Sequence, residues 1–136
     1  MKTEPTVHMP ADELLFVGKA ASLFTPDFDI VVYGSRARGD HRSYSDVDIA
    51  VFGAPEPFDI DVTRLYAVLN NSSMTLQPKV VQIDQHKAAE FVENVLEDGV
   101  LVYEGCGAFR KRRIAAGYTT ATQPVFSPAN PIFTAS

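Results

Sequence analysis

The sequence is short of the features that most simply announce a function. It has one cysteine, Cys106, in 136 residues, which excludes an internal disulfide framework and any cysteine-rich zinc site. Flanked by Gly105 and Gly107 and by no motif, Cys106 reads as a small filler residue. No apolar run approaches the roughly 20 residues that span a bilayer, and the opening "MKTEPTVHMP" lacks the apolar core of a signal peptide. These absences predict a cytoplasmic protein with no membrane attachment. A positive excess is missing too: 12 Lys and Arg stand against 17 Asp and Glu, a net charge of -5. General nucleic-acid binding through phosphate neutralisation is therefore not expected, and any phosphate affinity has to be local. No internal repeat is visible. With 46% hydrophobic residues the chain can build one modest core, so a single domain is expected.

What is present is an alternation of short helical and extended patterns. "PADELLFVGKAASLF" carries Leu14, Val17, Ala21 and Phe24 at helical spacing, with Pro10 tolerated in a first turn. After Pro26 and Asp27, "FDIVVY" (28–33) reads as a buried strand, and "SDVDIAVF" (45–52) as a second. In the second, Val47, Ile49 and Val51 share one face, and Asp46, Asp48 and Ala50 the other. Val62, Leu65, Tyr66 and Leu69 predict a helix ending near Asn70 and Asn71, "PKVVQID" (78–84) a third strand, and "VLVYE" (100–104) a last one. Between these, Ala88, Phe91, Val92, Val95 and Leu96 mark an amphipathic helix closed by Gly99. From 105 to 136 no period is sustained; a basic cluster, Arg110 to Arg113, precedes three prolines. This stretch reads as a tail, either a solvated terminus or a docking arm carrying Val125, Phe126, Ile132 and Phe133. The folded unit is thus expected over 8–104.

Chemistry concentrates in "VVYGSRARGDHRSYSDVDIAVF", residues 31–52. A strand that stops at Gly34-Ser35 and turns into a short helix offers backbone N–H groups and a hydroxyl to phosphate. Arg36, Arg38 and Arg42 can add positive charge, and Gly39 lets the chain turn back. Asp46 and Asp48 project to one face, where they repel each other unless a cation lies between them. A divalent ion held by one or two carboxylates plus substrate phosphates, Mg²⁺ or Mn²⁺, suits the pair. Phosphate cradle and metal holder together point to phosphoryl or nucleotidyl transfer, with Asp46 and Asp48 as metal ligands and catalytic residues and Gly34, Ser35, Arg36 and Arg38 on the nucleotide. His41 reads as a solvated loop histidine, and Tyr44 as either a packing residue or a neighbour of the base.

Gly34-Ser35, ten intervening residues, then Asp46-Val47-Asp48 resembles the signature of the minimal nucleotidyltransferases, the smallest members of the DNA polymerase beta-like superfamily. "PKVVQIDQHKAAEFVENVLEDGVLVYE" is similar to that family's third strand, helix and terminal strand, so the resemblance covers about residues 10–104. It implies a small α/β (α+β) domain, a mixed sheet flanked by helices. It implies an NTP, with ATP the expected one, on Gly34 and Ser35, and divalent ions on Asp46 and Asp48. It also implies a pairing with a helical HEPN-type protein, commonly a toxin, which the nucleotidyltransferase modifies or restrains as an antitoxin.

One position departs from the pattern. The family's third carboxylate falls on Val81, and Asp84 matches a second, non-catalytic acid. Positions three apart on a strand point to opposite faces, so Asp84 does not simply replace an acid at 81. Gln82 is a weak ligand, and Asp59 and Asp61 belong to the start of a helix. Two functions stay open on this sequence: an active transferase, moving a nucleoside monophosphate onto a hydroxyl, and a degenerate relative that binds nucleotide or neutralises a partner.

Overall fold

The computed structural model describes residues 7–43, 46–118 and 123–126. Helix α1 (Ala11–Phe24) starts at Pro10, whose φ of -57° is set by its ring, and it buries Val17, Ala20 and Ala21. Strand β1 (Asp29–Tyr33) leads through Gly34 into the single-turn helix α2 (Ser35–Arg38), followed by β2 (Val47–Phe52). Helix α3 (Ile60–Asn70) is capped by Asp59, whose carboxylate accepts from the Asp61 and Val62 amides. Strand β3 (Pro78–Ile83), helix α4 (Ala89–Asp98) and strand β4 (Val100–Tyr103) follow. All of these coincide with the expected elements to within a residue or two.

The four strands form one sheet in the order β3-β2-β1-β4, with β2–β3 parallel and the other two pairs antiparallel. It is the expected α+β arrangement. Because side chains alternate, the sheet has two apolar faces. Ile30, Val32, Val47, Ile49 and Val51 pack with Val17, Ala21, Val62, Leu65 and Leu69 of α1 and α3. Val31, Ala50, Phe52, Ile83 and Leu101 pack with Val92, Val95 and Leu96 of α4 and with Phe109. No helix among the described residues is long and apolar enough to cross a membrane.

The segment expected to be a tail departs from that expectation. Residues Ala108–Ala115 form helix α5, and its Phe109 is fully buried, edge-on to Phe52 with ring centroids 5.2 Å apart. The chain then returns along the open side of β4. Phe126 donates its N–H to Val102 and accepts from Glu104, and its ring lies so close over Gly18 that a Cβ there would sit 2.2 Å from Phe126 Cδ2. Phe126 is therefore half-buried against the core. Ile132 and Phe133 lie outside the described residues.

Candidate active site

The α4 face of the sheet is open at one end. There the end of β1 meets the start of β2, Tyr33 in register with Asp48, and Asp48 in turn in register with Lys79 of β3. The residues of this end, Tyr33, Asp48, Lys79, Val81, Lys87 and Phe91, border a cleft of about 450 Å³. Asp46, just before β2, approaches Lys79 with Oδ2 at 3.2 Å from Nζ. Sequence alternation places the two carboxylates on one face, and in the structure they share it with a lysine.

Gly34 makes the corner. Its backbone sits at φ 77°, ψ -150°, and an added Cβ would stand 2.8 Å from Asp48 Oδ2. A side chain would both strain the backbone and strike the carboxylate, so glycine is required twice over. Its carbonyl accepts from the Ala37 and Arg38 amides, which fixes the single turn that begins at Ser35. One turn aligns few peptide dipoles, so what the corner offers an anion is directed N–H groups more than a macrodipole.

Two of the arginines assigned to phosphate already have partners within the protein. Arg36 is buried, donating from Nη1 to the His8 carbonyl at 3.0 Å and from Nη2 to the Arg42 and Ser43 carbonyls at 3.2 and 3.3 Å. These bonds tie the 39–43 loop and the segment before α1 to α2. Arg38 is exposed, but its guanidinium donates to Asp40 at 3.1 Å and to Asp98 at 2.9 Å. It brings local positive charge already balanced by two carboxylates. The His41 and His8 rings lie 5.9 Å apart above the Gly39 turn. Tyr44 lies outside the described residues.

The electrostatics follow from this crowding. Burial raises the Asp48 carboxyl above its ordinary pKa and Asp46 adds to the rise, while Lys79 and Arg38 pull against it. Burial, with the negative charge of Asp48 beside it, pushes the Tyr33 hydroxyl up to about 12, so it remains a neutral proton donor at physiological pH. A carboxyl whose pKa is raised by folding costs stability above that pKa, and the cost vanishes as the pH falls towards the unfolded value. Asp48→Asn is therefore expected to raise the melting temperature of the ligand-free chain at neutral pH, with the gain shrinking in acid. Thermal melts at the two pH values check this; a neutral-pH melting point lowered by the substitution would contradict it.

The carboxylates offered by the sequence as substitutes for an acid at 81 are not at this site. Val81 lines the cleft, on the face of Asp48, whereas Asp84 follows β3 on the other parity and accepts from the His86 amide at 2.8 Å. Asp59 is occupied as the α3 cap, and Gln82 bridges the Asp59 amide and the Glu56 carbonyl. Among the described residues no group of three His, Cys, Asp or Glu side chains is placed to hold a metal. Asp46 and Asp48 suit one divalent ion shared with substrate phosphates; they do not suit a pair of ions held by three carboxylates. Lys79 is the residue that sequence reasoning missed. The signal was available, since it lies two positions before Val81 and so on the same face.

Past Val81 the cleft opens into a groove of about 660 Å³ between α3 and β3, bordered by Phe58, Val62, Tyr66 and Val80. Phe58 holds a left-handed backbone, φ 58°, and is 94% exposed. That combination is uncommon for a bulky aromatic residue.

The family model for polymerase beta nucleotidyltransferases matches residues 28–105, which contain the corner, both aspartates and all of the sheet. Among solved structures, a chain of a toxin–antitoxin complex with AMP-PNP is similar at a TM-score of 0.60 and 18% identity, covering 79% of this chain and 83% of that one. A chain of the tri-AMPylated Shewanella oneidensis HEPN toxin in complex with MNT antitoxin gives 0.56 and 20%, covering 79% and 86%. At these identities the likeness is one of fold. Comparison with curated proteins gives no match.

Proposed function

Since the chain belongs to the polymerase beta nucleotidyltransferase family, we propose that it binds a nucleoside triphosphate, ATP first among them, with one divalent cation in the Tyr33–Asp48 cleft. From there it transfers the nucleoside monophosphate to a hydroxyl of a HEPN-type toxin partner. The observation that carries the reading is the contact of Gly34 with Asp48: the bare backbone of the corner packs against Asp48 Oδ2, which holds the start of the Ser35 turn directly beside the carboxylates. The adjoining groove with exposed Phe58 supplies a surface on which an acceptor protein can rest. The AMP-PNP and AMPylated-toxin complexes of similar fold make a nucleotide and a toxin the first ligands to try.

In the transfer the acceptor oxygen forms a bond to the α-phosphorus, the bond from that phosphorus to the β-phosphate oxygen breaks, and pyrophosphate leaves. A divalent ion on Asp46 and Asp48 would offset charge on the triphosphate oxygens. Gly34 and Ser35 orient the phosphates, and the protonated Tyr33 hydroxyl can donate to them. With no group of three His, Cys, Asp or Glu side chains placed to hold a metal among the described residues, the acceptor's proton passes to water, which makes the step slow. That absence also favours a second reading, in which the nucleotide is held and the partner neutralised without transfer.

The experiment incubates the chain and a HEPN toxin with ATP labelled at the α-phosphate. Slow, metal-dependent labelling of the toxin is expected, lost in the Asp46→Asn, Asp48→Asn double variant together with nucleotide binding by calorimetry. Equal nucleotide binding by the double variant would reject the site; tight binding with no label at any time would select the second reading.

A further inference from the structure

The face that holds Asp46 and Asp48 has a cation already built into it. Lys79 is in register with Asp48 on the neighbouring strand and its ammonium stands 3.2 Å from Asp46 Oδ2. Its side chain is 65% exposed, so the ammonium ends inside the open cleft instead of in the core. An ion pair this exposed adds little to stability, which leaves the position itself to be explained. Resting on the nucleotide-binding reading of this cleft, we propose that the Lys79 ammonium serves as a second, fixed cation there, so that the chain takes its nucleoside triphosphate with a single divalent ion.

The charges agree with this assignment. Three carboxylates and two divalent ions leave one net positive charge facing the triphosphate. Asp46, Asp48, the Lys79 ammonium and one divalent ion leave the same, and Lys87, which also lines the cleft, adds to it. Replacing an acid by Val81 and keeping a lysine two positions away therefore keeps a positive field before a polyphosphate while removing a ligand for a second ion. An ammonium also has three donors, so it can hold Asp46 and still reach a phosphate oxygen, whereas it cannot lower the pKa of an attacking hydroxyl by direct coordination as a metal ion does. The site is then suited to binding first and transfer second.

The test uses the full chain, Mn²⁺ and AMP-PNP. Spin-resonance counting of bound Mn²⁺ is expected to give one ion per chain at saturating nucleotide. Lys79→Met should weaken AMP-PNP binding at saturating Mn²⁺ by about tenfold or more, the loss of one charge-assisted contact, while Lys79→Arg retains most of it. The melting temperature should barely move in either variant, which separates a role in binding from a structural one. Two Mn²⁺ per chain in the wild type, or unchanged affinity in Lys79→Met, would overturn the proposal and leave the nucleotide reading standing. A wild type that binds no AMP-PNP at any Mn²⁺ concentration would overturn both.

Discussion

Asp29→Ala is expected to remove about 3 kcal/mol of stability or more, since a buried donor left without its acceptor costs about 1–3 kcal/mol and four share this one. The carboxylate is completely buried at the start of β1. Its Oδ1 accepts from the amides of Gly105, Cys106 and Gly107 at 2.8, 2.9 and 3.1 Å, and its Oδ2 from the Phe109 amide at 2.9 Å. Four N–H groups at the entry to α5 thus converge on one side chain, and alanine would leave all four without it, in a place where Gly105 packs too tightly against Pro26 and Phe28 for a Cβ. Against a total of about 5–15 kcal/mol for a domain of ordinary stability, the loss is severe. Asn, with one acceptor oxygen in place of two, should fall between. Cys106→Ser keeps the backbone donors and should cost far less. Urea denaturation of the three variants measures the order; Asp29→Ala with a wild-type midpoint would show that the convergence contributes nothing.

That network shows which parts of the molecule sequence reasoning could reach. Alternation in "SDVDIAVF" was enough to put Asp46 and Asp48 on one face, because a strand's period of two leaves no freedom. The α4 pattern and its closing Gly99 were equally plain. Helix α5 was not, because its anchor, Asp29, is some eighty residues earlier and four of its eight residues are basic, leaving Phe109 as its one buried residue. The partners of Arg36 were out of reach for a similar reason. Beside Gly34-Ser35 an arginine reads as a phosphate contact, and only the carbonyls brought in by His8, Arg42 and Ser43 reveal a clamp. Asp98, sixty residues beyond Arg38, balances a charge that the sequence appeared to leave available for a nucleotide.

Val81→Asp is expected to raise the rate of nucleotidyl transfer by about 10²–10⁴-fold, the contribution of a well-placed proton acceptor. Val81 is partly exposed on β3, lines the cleft with Asp48, and lies on the same face as Lys79, two residues before it. An aspartate there enters a polar, wet border near Lys79 and Lys87 instead of a closed core, so the stability cost should stay within about 1–2 kcal/mol, well below that of a charge forced into an apolar interior. Its carboxylate would complete a group of three on one face, able to draw in a second divalent ion and to receive the acceptor's proton. The measurement is the initial rate of label transfer from α-labelled ATP to the toxin, with Mn²⁺ counted in parallel; rate and ion count should rise together. Asp84→Asn should leave the rate alone, because Asp84 lies past the strand and is turned to the His86 amide. An unaltered rate in Val81→Asp combined with loss of labelling in Asp84→Asn would move the missing carboxylate to 84, and would require β3 to shift its register when substrate binds.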